Sequence, residues 1–168
     1  MLIIRSATPD DALAVATVHV RAWQEGYRGL IADDYLDALR PEDRAARYDL
    51  GASDPTRPST TVAVRDEVVC GFATIGPCRE AGAQTGELLA LHVDPSAWGA
   101  GVGRRLIAEA RARLHSLGFT EAVLWVLVGN ERAQRFYRID GWRPDECERT
   151  VELWGTRIND IRFRRDLP

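Results

Sequence analysis

The chain is predicted to form a mixed α/β fold: one domain over residues 1–168, with a mixed β-sheet of about seven strands and helices on both faces. Three observations predict it. With 168 residues the chain can bury most of its apolar surface around one core and needs no second domain. The hydrophobic period changes near Thr60 from steps of three and four residues to steps of two, which is the change from helix to strand. The segment Glu87 to Val128 reads strand, glycine loop, helix, strand, so its two strands must be parallel neighbours joined by a right-handed crossover. Such strands can part beyond their paired ends and leave a cleft.

The elements follow in order. Residues 2–6 (LIIRS) form a short strand, and Thr8-Pro9-Asp10-Asp11 starts a helix with a capping Thr, a Pro at the first helical position and carboxylates in the first turn. Ala12, Val15, Ala16, His19 and Trp23 share one apolar helix face, which ends near Gly26. A second helical region over 32–50 is interrupted by Pro41, and SDPTRPST is a surface loop. TVAVR and VVCGFATIG, separated by Asp66 and Glu67, read as an antiparallel hairpin. GELLALHV (86–93) is the next strand. The helix over 101–117 has Val102, Leu106, Ile107, Ala110 and Leu114 on one side, arginines on the other, and Gly118 as its stop. A strand (EAVLWVLV), a short helix (130–139) stopped by Gly141, and closing strands near 148–154 and 157–165 complete the chain.

Composition excludes several functions. A net charge of −3 with pI near 5.7 argues against a general nucleic-acid binder. All 22 basic residues are Arg, so no Schiff-base or phosphate-loop lysine exists. Cys70, Cys78 and Cys147 show neither a disulfide framework nor zinc-ligand spacing, and no metal site is expected. No apolar run is long enough to cross a membrane and the first residues lack a secretion signal, so a cytoplasmic location is expected.

The most informative stretch is ELLALHVDPSAWGAGVGRR, from Glu87 to Arg105. Gly99, Gly101 and Gly103 allow close backbone approach to a ligand, and the helix they open offers free N–H groups and a partial positive charge to a phosphate. A triphosphatase loop is excluded, because GxxxxGK is absent. A dinucleotide fold fits poorly: the spacing is GxGxG, five residues separate it from the strand, and Glu121 begins the following strand where an acid should end it. The loop could also serve helix–strand packing alone. A second cluster, Asn130, Ala133, Phe136, Tyr137 and Gly141 in NERAQRFYRIDGW, favours a ligand site.

With both clusters in place, the chain resembles the GNAT superfamily of acyl-CoA-dependent N-acetyltransferases over nearly its whole length. Gly101 and Gly103 match the family's Gln/Arg-x-x-Gly-x-Gly/Ala signature after a strand ending HVDP, with Trp98 in place of Gln or Arg. Asn130 to Tyr137 and Gly141-Trp142 match its second motif. The resemblance implies acetyl-CoA as cofactor, held in the split between the parallel strands. The strand edge Leu91-His92-Val93 would pair with the pantetheine amides, and the amides of Gly99, Ala100, Gly101, Val102, Gly103 and Arg104 would hold the pyrophosphate. Asn130 would bond the pantetheine arm, while Ala133 and Phe136 would line the cofactor wall. The partner would be a small-molecule or peptide amine, with no nucleic acid and no membrane involved. Many relatives pair, so a homodimer is compatible, although no seam is legible.

Acetyl transfer to a primary amine by direct attack in a ternary complex needs a neutral amine, a stabilised oxyanion and a proton for the departing thiolate. An alkyl ammonium has a pKa of about 10.4, so a base must act first. Glu87 is the candidate, working through a water or, alternatively, anchoring the ammonium. Tyr137, a phenol that stays protonated at neutral pH, is the candidate acid for the thiolate. A backbone N–H on the cofactor strand would meet the oxyanion. Trp23 and Tyr27, with Tyr35, are candidates for acceptor recognition, against ordinary packing. His19 reads as a core histidine, and His92 as packed or exposed on the sheet face opposite Leu91 and Val93. The rival function is a non-catalytic acyl-CoA-binding module with the same fold.

Overall fold

The computed structural model describes residues 1–153 and 155–168. Its strands are β1 (Leu2–Ser6), β2 (Ser59–Arg65), β3 (Val68–Pro77), β4 (Thr85–Val93), β5 (Glu121–Leu127), β6 (Arg143–Leu153) and β7 (Thr156–Asp166). Its helices are α1 (Ala12–Gly26), α2 (Asp33–Asp37), α3 (Pro41–Ala45), α4 (Val102–Ser116) and α5 (Glu131–Ile139). The strands form one seven-stranded sheet in the order β1-β2-β3-β4-β5-β7-β6. Among the described strand pairs only β4–β5 is parallel, as its helical crossover through α4 requires.

Local sequence explains most boundaries. The Asp11 carboxylate accepts bonds from the Thr8 N–H (2.8 Å) and from both Arg5 nitrogens (2.7 and 2.9 Å), which sets the start of α1 through a 3-10 turn over Pro9–Asp11. Asp66 and Glu67 turn the β2–β3 hairpin with φ of 50° and 67°, the left-handed pair that a two-residue connection needs. The region 32–50 holds two five-residue helices, α2 and α3, the second opened by Pro41.

One boundary differs from the sequence reading. β6 begins at Arg143 rather than near 148, because Arg143 and Pro144 pair with Arg164 and Phe163 before the ladder breaks and resumes at Glu148. Pro, Asp and Glu at 144–146 disfavour a strand, and the chain accommodates them in a bulge where Glu146 has φ 67°. The expected extension of this strand to residue 154 lies outside the described residues.

Two apolar layers flank the sheet. On one face Val102, Leu106, Ile107, Ala110 and Leu114 of α4 pack on Leu88, Ala122, Leu124, Val126 and Phe163. On the other, Val15 and Val18 of α1 pack on Val62 and Phe72, while Val20 and Trp23 pack with Leu36, Leu127 and Ile158. The β3–β4 register slips between Thr74 and Ile75, which pair with Ala90 and Leu88 and leave Leu89 as an extra residue. Leu88 therefore joins the α4 layer and Ala90 the α1 layer, although two residues apart in one strand normally share a face. Glu87, adjacent to Leu88, turns to the α1 face with Ala90 and His92.

Candidate active site

β4 and β5 pair only from Thr85–Glu121 to Leu88–Leu124 and then diverge. The main chain of β4 beyond Leu88 thus has no strand partner on that side. A cleft of about 1020 Å³ opens there, lined by Leu91 to Val93, Trp125 to Leu127 and the glycine loop.

At one end lies the start of α4. Asp94 accepts from Ser96 N–H (2.9 Å) and pairs with Arg21 (3.0 Å), and Trp98 Nε1 donates to Val93 O (2.8 Å), so the loop is tied to the end of β4. Gly99 (φ 78°) and Gly101 (φ 82°) take the left-handed conformation, which only glycine adopts without strain. Gly101 is also the N-cap of α4 and brings no capping side chain. Among the described residues, the amides of Gly99, Gly101, Val102, Gly103 and Arg104 bond no protein acceptor; the first turn closes only with Arg105 N to Gly101 O at 3.2 Å. These open donors at a helix N-terminus suit an anionic phosphate. Ala100 does not contribute: its N–H is engaged by Ala97 O at 3.3 Å, and it does not line the cleft.

The second wall is α5. Asn130 caps this helix, its side-chain oxygen accepting from Ala133 N at 3.2 Å, so its carboxamide NH₂ is the group left to face the cleft. Ala133 and Phe136 line the wall, and Phe136 lies so close to α4 that a Cβ on Gly103 would sit 3.3 Å from its ring. Tyr137, one step further, is 9% exposed and borders the same cleft. Its ring is held edge-on by Phe136 (5.4 Å), Trp142 (6.3 Å) and Phe163 (6.4 Å). Its hydroxyl has no hydrogen-bond partner among the described residues, and burial pushes its pKa up, so the phenol keeps its proton.

The α1 side forms the other end. The Trp23 and Tyr27 rings lie 4.9 Å apart and tilted by 56°, and both line the cleft while packing against Leu36 and Leu127. The Tyr27 pKa is pushed up by burial and, to a smaller degree, by Tyr137 and Asp160, which border the same cleft. His92 points away from Leu91 and Val93, as alternation requires, and stacks on His19 at 4.7 Å. His19 Nδ1 shares a hydrogen bond with Tyr48 Oη at 2.5 Å. Burial lowers the His92 pKa to about 4, so the imidazole is neutral at physiological pH. The Glu87 pKa is raised by burial against the opposing pull of Arg149, with Glu80 adding to the rise.

Every sequence-predicted site residue except Ala100 and Tyr35 therefore borders one cleft: Glu87, Leu91, His92, Val93, the loop glycines with Val102 and Arg104, the α5 residues, Trp23 and Tyr27; Tyr35 packs instead against the Trp23 and Leu36 cluster. The sequence reading missed Asp160, Arg149 and Trp125. Asp160 is 7% exposed, its pKa raised by burial, and it holds Arg149 Nε at 3.2 Å while that guanidinium covers the Trp125 ring at 4.2 Å. No local spacing signals these residues. They meet because β7 lies between β5 and β6, with Leu127 opposite Asp160 and Asp160 opposite Arg149.

A phosphate-sized cradle of amides at one end, an unpaired strand edge along the middle, and a phenol with carboxylates at the other define a two-substrate transferase that draws on an acyl-CoA. The residues present fit that cofactor. The chain matches the model of the acetyltransferase (GNAT) family over residues 20–142 and belongs to that family. It is an acetyl-CoA-dependent N-acetyltransferase. It is similar to YuaI of Bacillus subtilis (strain 168), itself an uncharacterized N-acetyltransferase, with 30% identity over 166 residues, covering 96% of this chain and 91% of that one. Its fold is similar to that of the PaiA N-acetyltransferase from Thermoplasma acidophilum in complex with coenzyme A (TM-score 0.77, 19% identity, 99% of each chain). It is also similar to YncA from Salmonella typhimurium, solved with its cofactor acetyl-CoA (TM-score 0.73, 20% identity, 100% of this chain and 95% of that one). No helix among the described residues is long and apolar enough to cross a membrane.

Proposed function

We propose that the acceptor is a primary amine on a small molecule or peptide, which attacks the thioester directly from the α1 side of the cleft. The observation that carries this reading is the placement of Tyr137 and Glu87. The phenol borders the split from α5, close to Tyr27, while the bulge at Leu89 turns Glu87 to the α1 face of the same opening. Acetyl-CoA supplies an activated acyl group. The open amides of Gly99 and of Gly101 to Arg104 anchor its diphosphate, and the free edge of β4 from Leu91 to Val93 orients the pantetheine arm.

The acceptor enters between Trp23, Tyr27 and Trp125, whose rings exclude water and leave the carboxylates of Glu87 and Asp160 to receive an ammonium. Glu87 takes the amine proton through a water, because a carboxylate even of raised pKa is a poor direct base for an amine. A β4 main-chain N–H faces the developing oxyanion, and Tyr137 donates to the departing sulfur. Three free thiols, on Cys70, Cys78 and Cys147, support a reducing compartment such as the cytoplasm.

Thiol release from acetyl-CoA across a panel of amines, amino acids and peptide N-termini tests the reading. Release that depends on an added amine, with N-acetylated product found by mass spectrometry, is the expected result. Tight acetyl-CoA binding without amine-dependent release from any acceptor would overturn it.

A further inference from the structure

Trp98 occupies the position where the family signature carries Gln or Arg, so the loop's own side chain brings neither a cation nor an amide to the diphosphate. Its indole N–H is engaged by Val93 O at 2.8 Å, which holds the ring still at the cleft mouth. Over that ring lies the guanidinium of Arg132, its central carbon 3.3 Å from the ring centroid. Arg132 comes from the first turn of α5, the opposite wall.

Its surroundings differ from those of the structural arginines. Arg111 is held by Asp140 at 2.9 Å and Arg149 by Asp160 at 3.2 Å. Among the described residues Arg132 forms neither an ion pair nor a hydrogen bond with protein, and its pKa is lowered by desolvation without an acid to offset it. A cation parked on an aromatic face keeps its N–H edge available, because stacking uses the π surface and leaves the in-plane donors free. Trp98, Arg132 and the open amides of the α4 first turn all line the same cleft.

We propose that Arg132, held on the Trp98 ring, grips a phosphate of coenzyme A and so replaces, from α5, the side chain that Trp98 displaced from the loop. The inference rests on the assignment of the diphosphate to the Gly99–Arg104 amides. The planar fork matches two phosphate oxygens, and the ring fixes its orientation before the ligand arrives, which reduces the ordering cost of binding. Arg132 is thus a determinant of donor selectivity, distinguishing phosphate-bearing thioesters from short ones.

Calorimetry with acetyl-CoA and with acetyl-dephospho-CoA, which keeps the diphosphate but lacks the 3′-phosphate, is paired with kcat/KM for acetyl-pantetheine, which has neither. Arg132→Gln should weaken acetyl-CoA binding by roughly 10- to 100-fold, the range for a lost charge-assisted contact, and leave kcat/KM for acetyl-pantetheine at the wild-type value. Equal loss with the dephospho donor assigns the contact to the diphosphate; loss confined to acetyl-CoA assigns it to the 3′-phosphate. Trp98→Ala should weaken acetyl-CoA binding in the wild-type background and much less when Arg132→Gln is already present. Wild-type affinity of Arg132→Gln for acetyl-CoA, or an equal loss with acetyl-pantetheine, overturns the proposal. If the wild-type protein itself bound acetyl-CoA no better than acetyl-pantetheine, the assignment of the glycine loop would fail instead. Arg132 is exposed and its replacement leaves no buried partner, so thermal melting of the variant should match the wild type.

Discussion

Tyr137→Phe removes one oxygen from a ring that otherwise stays in place. The ring is buried and held by Phe136, Trp142 and Phe163 through edge contacts that do not involve the hydroxyl. That hydroxyl bonds no protein group among the described residues, so its loss strands no buried partner and should change folding free energy by less than about 1 kcal/mol. For a domain of this size the melting temperature then moves by no more than about 4 °C.

The rate should respond very differently. Loss of a positioned general acid lowers kcat by roughly 10²–10⁴, or about 2.7–5.4 kcal/mol of barrier. Thiol release at saturating acetyl-CoA and amine gives kcat, and calorimetry gives acetyl-CoA affinity, which should stay within about twofold because the amides and the β4 edge are untouched. Burial raises the Tyr137 pKa, so the wild-type rate should show no fall from phenol ionisation below about pH 10. A kcat near that of the wild type in the folded variant would remove Tyr137 from the chemistry. A large loss of stability would instead mean that the hydroxyl has a structural partner.

Further outcomes follow from the same geometry. Glu87→Gln should abolish the limb of the kcat/KM profile that rises as Glu87 loses its proton, a limb displaced above the ordinary carboxylate range by burial; an unchanged profile with raised amine KM leaves Glu87 only as an anchor. Gly86→Ala should lower the urea midpoint by the equivalent of about 1–3 kcal/mol, because the new Cβ would lie 2.6 Å from Leu114 Cδ2 and 3.0 Å from Phe119 Cδ2; an unshifted midpoint contradicts the tight packing of α4 on β4. The buried neutral His92 should make folding pH-dependent. Its pKa is lower in the folded state, so its contribution is complete above about pH 6.5 and lost as pH falls toward 4, amounting to roughly 3 kcal/mol. Urea midpoints at pH 7.5 and 4.5 should lie closer together in His92→Gln without meeting, because the stacked His19, whose pKa burial also lowers, keeps its own acid loss, while the raised pKa values of Glu87 and Asp160 act in the opposite direction. An equal acid loss in the variant would place the titration elsewhere.

The parts of the site that depend on near neighbours in the chain were legible before any fold was known. The open α4 terminus follows from Gly99, Gly101 and Gly103, because backbone conformation and missing capping side chains are properties of a few adjacent residues. The shared face of Ala133, Phe136 and Tyr137 follows from helical spacing, and the parallel β4–β5 pair from the helix between them. Ala100 shows the limit of this reasoning: its amide is adjacent to the others, yet a turn bond to Ala97 O removes it from the set.

What only the tertiary structure decided are the features set by register and by distant pairing. A one-residue slip opposite Thr74 and Ile75 sends Glu87 to the α1 face, and nothing in ELLALHV announces it, since strand alternation is reversed by a bulge without any change of composition. Asp160, Arg149 and Trp125 converge because β7 inserts between β5 and β6, and Arg132 reaches Trp98 because α5 closes over the loop. The amino-acid order by itself determined the fold class and the open amides of the glycine loop, which rest on short-range periodicity and backbone chemistry, whereas the proposed roles of that loop toward coenzyme A and of Tyr137 as an acid came from the resemblance those residues carry. The α1 end of the cleft and its charge pattern arise from contacts between residues far apart in the chain, where the choice is made by how strands pair and helices dock.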